Sequence, residues 1–378
     1  MYGASAERVF DSADYAYMAR ALELAERGLY TTSPNPRVGC VLVRDGAVVG
    51  EGWHEVAGGP HAEVHALAQA GEAARGATAY VTLEPCSHHG RTPPCADALV
   101  DAGVARVVAA MEDPNPLVAG KGMQRLADAG IEVASGLLAA QAERLNAGFV
   151  RRMREERPYV CCKLAMSLDG RTAMASGESK WITGAAARED VQRLRARSCA
   201  VVTGIGTVLA DDPSLNVRFA LPGGHERQPL RVVLDPHLSM APDARMLALP
   251  GHTLIVTACD ERAPREALER VGAEVVFLPH GVDAIDLHAL MTLLASRQVN
   301  EVLVETGATL SGALLRAGLL DELVIYMAPL LMGDQARGLF RLPGLETMEQ
   351  RIVLNISDIR AVGQDWRITA TPSLRQGS

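Results

Sequence analysis

Thr78-Ala79-Tyr80-Val81-Thr82-Leu83-Glu84-Pro85-Cys86-Ser87-His88-His89-Gly90-Arg91-Thr92-Pro93-Pro94-Cys95 decides the architecture of the first half of this chain. It reads as a buried strand from Thr78 to Leu83, interrupted at Pro85, then a loop, then a helix from Pro94 to Ala102. Upstream, His61 and Glu63 open a second helix, Ala62 to Ala70. Before it, Val38 to Val43 and Ala47 to Val49 form a hairpin about the turn Arg44 to Gly46. Asp11 and Ser12 cap a first helix with Met18, Leu22, Ala25 and Leu29 as its apolar stripe, and Gly28 marks its stop. Downstream come strand Ala105 to Ala110, helix Lys121 to Ala129 and strand Ile131 to Ala134. Strands alternating with helices predict an α/β unit whose sheet is covered on both faces.

The 378 residues suffice for two ordinary domains. A hydrophobic share of 48% and a charged share of 22% describe a globular chain, not a disordered one. The net charge of -8 argues against a broad nucleic-acid surface. Arg151-Arg152-Met153-Arg154 is a local basic cluster, a solvated helix face before the domain boundary or, as the alternative, a phosphate-binding site. Seven cysteines form no secreted disulfide framework, no leader pattern opens the chain and no apolar run reaches membrane-spanning length, so the cytoplasm is the expected compartment. Cys40, Cys161, Cys162, Cys199 and Cys259 sit in apolar settings and read as core thiols.

His61, Cys86 and Cys95 stand apart from those five. Each sits at the start of a helix or just beyond a strand, where exposed amides favour anions such as thiolates. Two sulfurs and one imidazole suit zinc and leave a fourth position for water. Metal charge lowers that water's pKa, and Glu63 is placed to move its proton without being a ligand. His-x-Glu followed by Pro-Cys is the pattern of zinc deaminases acting on base-like rings. The eight residues between Cys86 and Cys95 depart from the short two-residue spacing of many such sites. That insert carries His88 and His89, either of which is an alternative ligand. It also carries Arg91, which would grip a phosphate or merely solvate the loop.

Beyond Arg157-Pro158 the alternation resumes, placing a domain boundary there: 1–155 and 156–372. Strands are expected at Tyr159 to Ala165, Cys199 to Thr203, Leu230 to Leu234, Thr253 to Thr257, Glu274 to Phe277, Glu301 to Val304 and Leu323 to Ala328. Helices are expected at Ala185 to Arg197, Pro264 to Val271, Asp283 to Ala295 and Leu310 to Ala317. Ile352 to Ile359 and Asp365 to Ala370 read as a closing hairpin. Thr203-Gly204-Ile205-Gly206-Thr207 and Glu305-Thr306-Gly307-Ala308-Thr309-Leu310 each follow a strand. Either is a plain turn or a place where backbone approaches a diphosphate.

Nearly the whole chain resembles the bifunctional riboflavin-biosynthesis deaminase/reductase family. The resemblance is carried by Pro34-Asn35-Pro36-Arg37-Val38-Gly39, Gly59 to Leu67, Thr82 to Cys95, Lys163 to Arg171 and Val208 to Pro213. It implies an N-terminal cytidine-deaminase-like three-layer domain and a C-terminal dihydrofolate-reductase-like domain. It implies zinc on His61, Cys86 and Cys95, with Glu63 as proton carrier. Asn35, His54, His88 and Arg91 resemble contacts to a phosphoribosylamino pyrimidine. NADPH is the implied second cofactor. Lys163, Ala165, Trp181, Thr183, Thr207, Asp211, Gly307, Ala308, Thr309 and Leu310 resemble its contacts. Ser179, Arg195, Leu215, Arg218 and Glu305 resemble contacts to the reductase substrate. Thr306 replaces the glycine or alanine expected after Glu305, and charge and spacing do not separate Asp211 from Asp212. The resemblance also implies a homodimer or homotetramer built through the second half. Two competing accounts are a base deaminase with an inactive regulatory half and a zinc-supported nucleotide sensor; the sensor has no need of Glu63.

Overall fold

A computed structural model describes residues 10–87, 94–116, 118–219, 227–281 and 283–373. The chain divides into two compact units, Met1–Glu156 and Arg157–Ser378.

In the first unit, helix α1 (Ser12–Glu26) opens on a capping box. The Asp11 carboxylate accepts the Asp14 N–H at 2.8 Å, and Asp14 accepts the Asp11 N–H at 3.1 Å. Its buried face is Met18, Ala21, Leu24 and Ala25, rotated from the expected stripe; Leu22 is half-buried and Leu29 lies past the helix end. The cause is close packing on the sheet: a Cβ on Gly39 would stand 2.0 Å from the Ala21 carbonyl oxygen. Strands β1 (Gly39–Arg44) and β2 (Ala47–Trp53) pair antiparallel about Asp45 and Gly46, whose φ values of 52° and 76° suit a tight two-residue hairpin. β2 runs beyond the expected Val49 through Gly50 and Gly52. Those glycines obscure the strand signal, yet the fold requires them. Helix α2 (Ala62–Ala70) passes so close that their Cβ atoms would stand 2.2 Å and 2.3 Å from the carbonyl oxygens of Ala66 and Ala62. This approach sets where the first turn of α2, with Glu63, meets the sheet.

Strand β3 (Thr78–Val81), α3 (Cys95–Ala102), β4 (Arg106–Ala109), α4 (Lys121–Asp128), β5 (Glu132–Ser135), α5 (Ala139–Leu145) and α6 (Ala147–Glu155) complete this unit. The sheet order is β2-β1-β3-β4-β5, with β3, β4 and β5 parallel. Alternation along β1 splits the core. Cys40 and Leu42 pack with residues of α2, α3 and α4, while Val41 and Val43 pack with residues of α1, α5 and α6. The result is three layers. α5 was not expected from the sequence; it starts from Leu138 in a left-handed conformation, without a side-chain cap. On α6 the basic cluster is ion-paired, Arg151 with Glu155 and Arg154 with Glu143.

The second unit contains β6 (Tyr159–Ser167), β7 (Arg171–Ala173), α7 (Ala185–Arg197), β8 (Ala200–Gly204), α8 (Ile205–Asp211), β9 (Leu230–Leu234), β10 (Thr253–Thr257), α9 (Arg262–Arg270), β11 (Glu274–Phe277), α10 (Leu287–Ser296), β12 (Glu301–Val304), α11 (Ala308–Arg316), β13 (Glu322–Ala328), β14 (Arg337–Gly338), β15 (Val353–Val362) and β16 (Asp365–Ser373). The large sheet runs β11-β10-β9-β8-β12-β6-β13-β16-β15. It is parallel from β11 to β13, and the expected closing hairpin β15–β16 adds antiparallel strands at one edge. Val202, Val232 and Val304 pack with residues of α10 and α11; Val201, Val233 and Leu303 pack with residues of α7, α8 and α9. Burial on both faces explains why these strands are unbroken apolar runs. Because β6, β8 and β12 are parallel neighbours, their C-terminal ends open on one edge. Among the described residues, no helix is long and apolar enough to cross a membrane.

Candidate metal centre and a second polar cluster

His61 is the N-cap of α2, Cys95 is the first residue of α3, and Cys86 follows Pro85 beyond the end of β3. The fold brings these distant residues together. His61 Nδ1 lies 3.2 Å from Cys95 Sγ and 3.7 Å from Cys86 Sγ, and the three ligand atoms all fall within 4.8 Å of one another. A tetrahedral zinc site separates sulfur from nitrogen by about 3.6 Å, so this spacing and donor set fit zinc. The backbone N–H of Cys95 donates to Cys86 Sγ at 3.3 Å. The contact with the Cys95 side chain is the main cause that brings the Cys86 thiol down; burial opposes it and His61 adds to it. Cys95 is pushed upward, chiefly by that same contact with Cys86. The pair therefore shares a proton that a divalent cation would displace.

Glu63 lies in the first turn of α2 and is 3% exposed. Burial raises its carboxyl to about 7, against the opposing pull of His61. It stands beside the three-residue cluster without belonging to it. His54 and Asn35 flank the same place. The His54 ring meets His61 edge-on with centroids 5.5 Å apart. Its Nδ1 lies 2.9 Å from the Pro60 carbonyl oxygen, which only accepts, so Nδ1 carries the hydrogen. Burial holds His54 below its ordinary pKa, so Nε2 is bare and accepts from Asn35 Nδ2 at 3.1 Å. Asn35 Oδ1 is thereby left as the amide's acceptor. His88 and Arg91 lie outside the described residues.

In the second unit, a polar cluster forms at the shared strand edge. Lys163 on β6 is half-buried, and burial lowers its pKa while nearby Glu305 opposes that shift. Glu305 follows β12 and pairs with Arg195 of α7. Arg195 also donates from Nη1 to the Asn216 carbonyl at 3.2 Å. Leu215, next in chain, is buried with φ 48°. Arg218 is exposed, and its backbone N–H donates to Gln192 Oε1 at 2.9 Å. The turns at Gly204 and at Thr306 meet: a Cβ on Gly204 would touch Thr306 Oγ1 at 3.4 Å and Leu310 Cδ2 at 3.5 Å. Thr306 thus fills space between the two turns. Gly307 caps α11, ahead of Ala308, Thr309 and Leu310, and a Cβ on Gly206 or Gly307 would meet nothing within 4 Å.

Asp211 and Asp212 diverge. Asp211 Oδ1 pairs with Lys180 Nζ at 3.0 Å, whereas Asp212 Oδ1 accepts the Arg245 N–H at 2.9 Å. Trp181 is 71% exposed, with the Arg188 guanidinium 4.7 Å from its ring centroid. Arg188 also donates to the Thr183 carbonyl at 2.7 Å. The sequence reading overlooked Arg188, since one arginine in a basic helix carries no distinguishing signal. Ser179 is half-buried in the same segment, Thr207 lies on α8, and Ala165 lies on β6 opposite Tyr326.

Comparison with known proteins agrees with this division. Residues 11–111 match the model described as "Cytidine and deoxycytidylate deaminase zinc-binding region", and residues 158–368 match the "RibD C-terminal domain". The chain is 55% identical over 361 residues to the riboflavin biosynthesis protein RibD of Escherichia coli, covering 93% of this chain and 97% of that protein. It matches the structure of Acinetobacter baumannii RibD, form 1, with a TM-score of 0.89 and 50% identity over 96% of this chain and 99% of that one. A solved diaminohydroxyphosphoribosylaminopyrimidine deaminase/5-amino-6-(5-phosphoribosylamino)uracil reductase from Thermotoga maritima matches with a TM-score of 0.84 and 32% identity, covering 96% and 99%. Fold and site define a two-part α/β protein, a zinc-deaminase-like domain followed by a reductase-like domain. The chain belongs to the RibD family of riboflavin biosynthesis proteins.

Proposed function

We propose that this chain catalyses two successive reactions on a phosphoribosylamino pyrimidine. The first unit removes the 2-amino group of 2,5-diamino-6-(5-phospho-ribosylamino)pyrimidin-4(3H)-one by hydrolysis. The second reduces the ribosyl group of 5-amino-6-(5-phosphoribosylamino)uracil to ribityl, using NADPH. The observation that carries the reading is Glu63, buried beside the His61, Cys86 and Cys95 cluster yet outside it. A structural metal or a nucleotide sensor has no use for that carboxyl.

His61 Nδ1, Cys86 Sγ and Cys95 Sγ would hold zinc. Bound there, zinc supplies the Lewis acidity that brings the pKa of a water toward neutrality. Glu63, whose carboxyl burial raises to about 7, would move two protons in turn: the first from water to a ring nitrogen, the second from the added hydroxyl to the departing amine, which leaves as ammonia. Asn35 offers its Oδ1 to a donor on the substrate, held in that orientation by His54. His88 and Arg91 are assigned to the substrate, Arg91 to its phosphate.

Residues around α8 and α11 fit NADPH. The open backbone at Gly206 and Gly307 lets a diphosphate come close, and the nine-residue α11 presents its N-terminus there. The cofactor supplies a hydride to C1 of the opened ribose. Lys163, Ala165, Trp181, Thr183, Thr207, Asp211 and Gly307 to Leu310 are assigned to the cofactor. Ser179, Arg195, Leu215, Arg218 and Glu305 are assigned to the substrate, with the task of aligning it and excluding water.

The test supplies the diamino substrate with and without NADPH. Ammonia release is expected in both conditions, and NADPH oxidation only after deamination. A second unit that leaves NADPH untouched when given preformed deaminated substrate would reduce it to a regulatory role.

A further inference from the structure

Glu84 has no part in the chemistry above, yet it is among the most completely engaged carboxylates of the first unit. It is 4% exposed. Its Oε2 accepts the backbone N–H groups of Asp113 at 3.0 Å and Gly120 at 2.9 Å. Its Oε1 accepts those of Gly122 at 2.8 Å and Met123 at 3.3 Å. Gly122 and Met123 lie in the first turn of α4, whose N–H groups lack partners within the helix. The carboxylate therefore caps α4 from beyond the end of β3, with β4 the intervening strand, and ties the segment before that helix to the end of β3.

The same contact crowds the Cys86 turn. A Cβ on Gly122 would stand 1.9 Å from the Pro85 carbonyl oxygen, so the first turn of α4 lies directly against Pro85. Pro85 has a fixed φ and no N–H. On the far side, Cys86 is held by α3: its carbonyl accepts the Ala96 N–H at 3.1 Å and its sulfur accepts the Cys95 N–H at 3.3 Å. The Glu84 backbone N–H itself donates to the Met111 carbonyl at 2.9 Å. Cys86 is thus pinned downstream by α3 and upstream by the Glu84 clamp.

We infer that Glu84 is a positioning residue for the metal centre: through the four amides of the 113–123 segment it fixes where the Cys86 sulfur stands. This rests on the zinc reading proposed above. All four partners are donors, so a carboxylate satisfies them and an amide cannot, because the NH2 of glutamine would face N–H groups. Partners one step beyond the ligands govern metal affinity in this way. If the clamp favours zinc, zinc must favour the clamp equally.

The experiment uses the full chain with zinc alone as the probe. Competition with a chromophoric chelator should show Glu84→Gln binding zinc about 10–100-fold more weakly than the parent, with all three ligands intact. Gly122→Ala, which drives α4 against Pro85, should weaken it in the same direction. In the unaltered protein, zinc should slow hydrogen exchange at the amides of Asp113, Gly120, Gly122 and Met123. A folded Glu84→Gln protein with parental zinc affinity overturns the inference. So do amides whose exchange is indifferent to zinc, and this arm decides alone if the variants do not fold. Absence of zinc binding by the parent sinks the zinc reading itself, a distinguishable failure.

Discussion

Arg195 and Glu305, 110 residues apart in sequence, form a bidentate ion pair: Nη2 donates to Oε2 at 2.9 Å and Nε donates to Oε1. Their side chains are only 11% and 10% exposed. Guanidinium and carboxylate match as two planar forks, which gives the pair direction as well as charge. Both residues are proposed contacts of the reductase substrate, and the pair fixes each against the other.

Removing one member strands the other. Glu305→Gln leaves the nearly buried Arg195 without its carboxylate, and the second unit should lose about 3–5 kcal/mol of stability. Replacing the pair together, Arg195→Met with Glu305→Leu, should cost clearly less. Urea unfolding followed by a probe in the second unit measures both; equal losses for single and double variants would refute the coupling.

Lys163 carries a charge that its folded surroundings disfavour. Burial lowers its pKa in the folded chain below the ordinary value near ~10.4. Between those two values the unfolded chain binds the extra proton, so stability rises with pH, and below both the buried charge costs its full amount. Lys163→Met should therefore raise Tm at pH 7, with the gain shrinking as pH approaches about 10, while NADPH oxidation falls. A variant less stable than the parent at pH 7 would contradict this.

Glu63→Gln separates metal binding from proton transfer. Zinc content should match the parent, and ammonia release should drop by roughly 10²–10⁴-fold. NADPH oxidation on preformed deaminated substrate should be unaffected. Ammonia release at the parental rate would remove Glu63 from its assigned role.

Asp14 ties acid stability to the first unit. Burial works against its charge, but hydrogen bonds from Tyr80 at 2.7 Å and Arg106 at 2.9 Å hold its carboxyl below the ordinary value. A depressed carboxyl contributes stability that is full above the unfolded pKa near ~3.9 and is lost as pH falls through the folded value. Tyr80→Phe should cost about 1–3 kcal/mol at neutral pH and should make the first unit less sensitive to acid. Unfolding curves at pH 7 and pH 3 read both effects; an unchanged acid slope would exclude Asp14 as its source.

Local pattern alone was enough where burial imposes a period or an unbroken apolar run. Helix α2 and strands β9, β10, β11 and β12 fall on the residues expected from the sequence. It failed where packing overrode propensity. Gly50 and Gly52 concealed the second half of β2, and the contact of Ala21 with the backbone at Gly39 rotated the buried face of α1. Strands β7 and β14, of three and two residues, are too short to carry a period.

The cluster of His61, Cys86 and Cys95 was legible because each is a rare residue type beside a strand end or helix start, and so was Glu63, two positions from His61. The amino-acid order alone thus determined the alternation of elements and the donor set. Tertiary structure alone decided that Arg195 would answer Glu305, that Asp211 and Asp212 would turn to different partners, and that Glu84 would gather four amides of a later segment. Side-chain pairing depends on which surfaces the packed sheet brings within hydrogen-bond reach, and separation along the chain does not encode that distance.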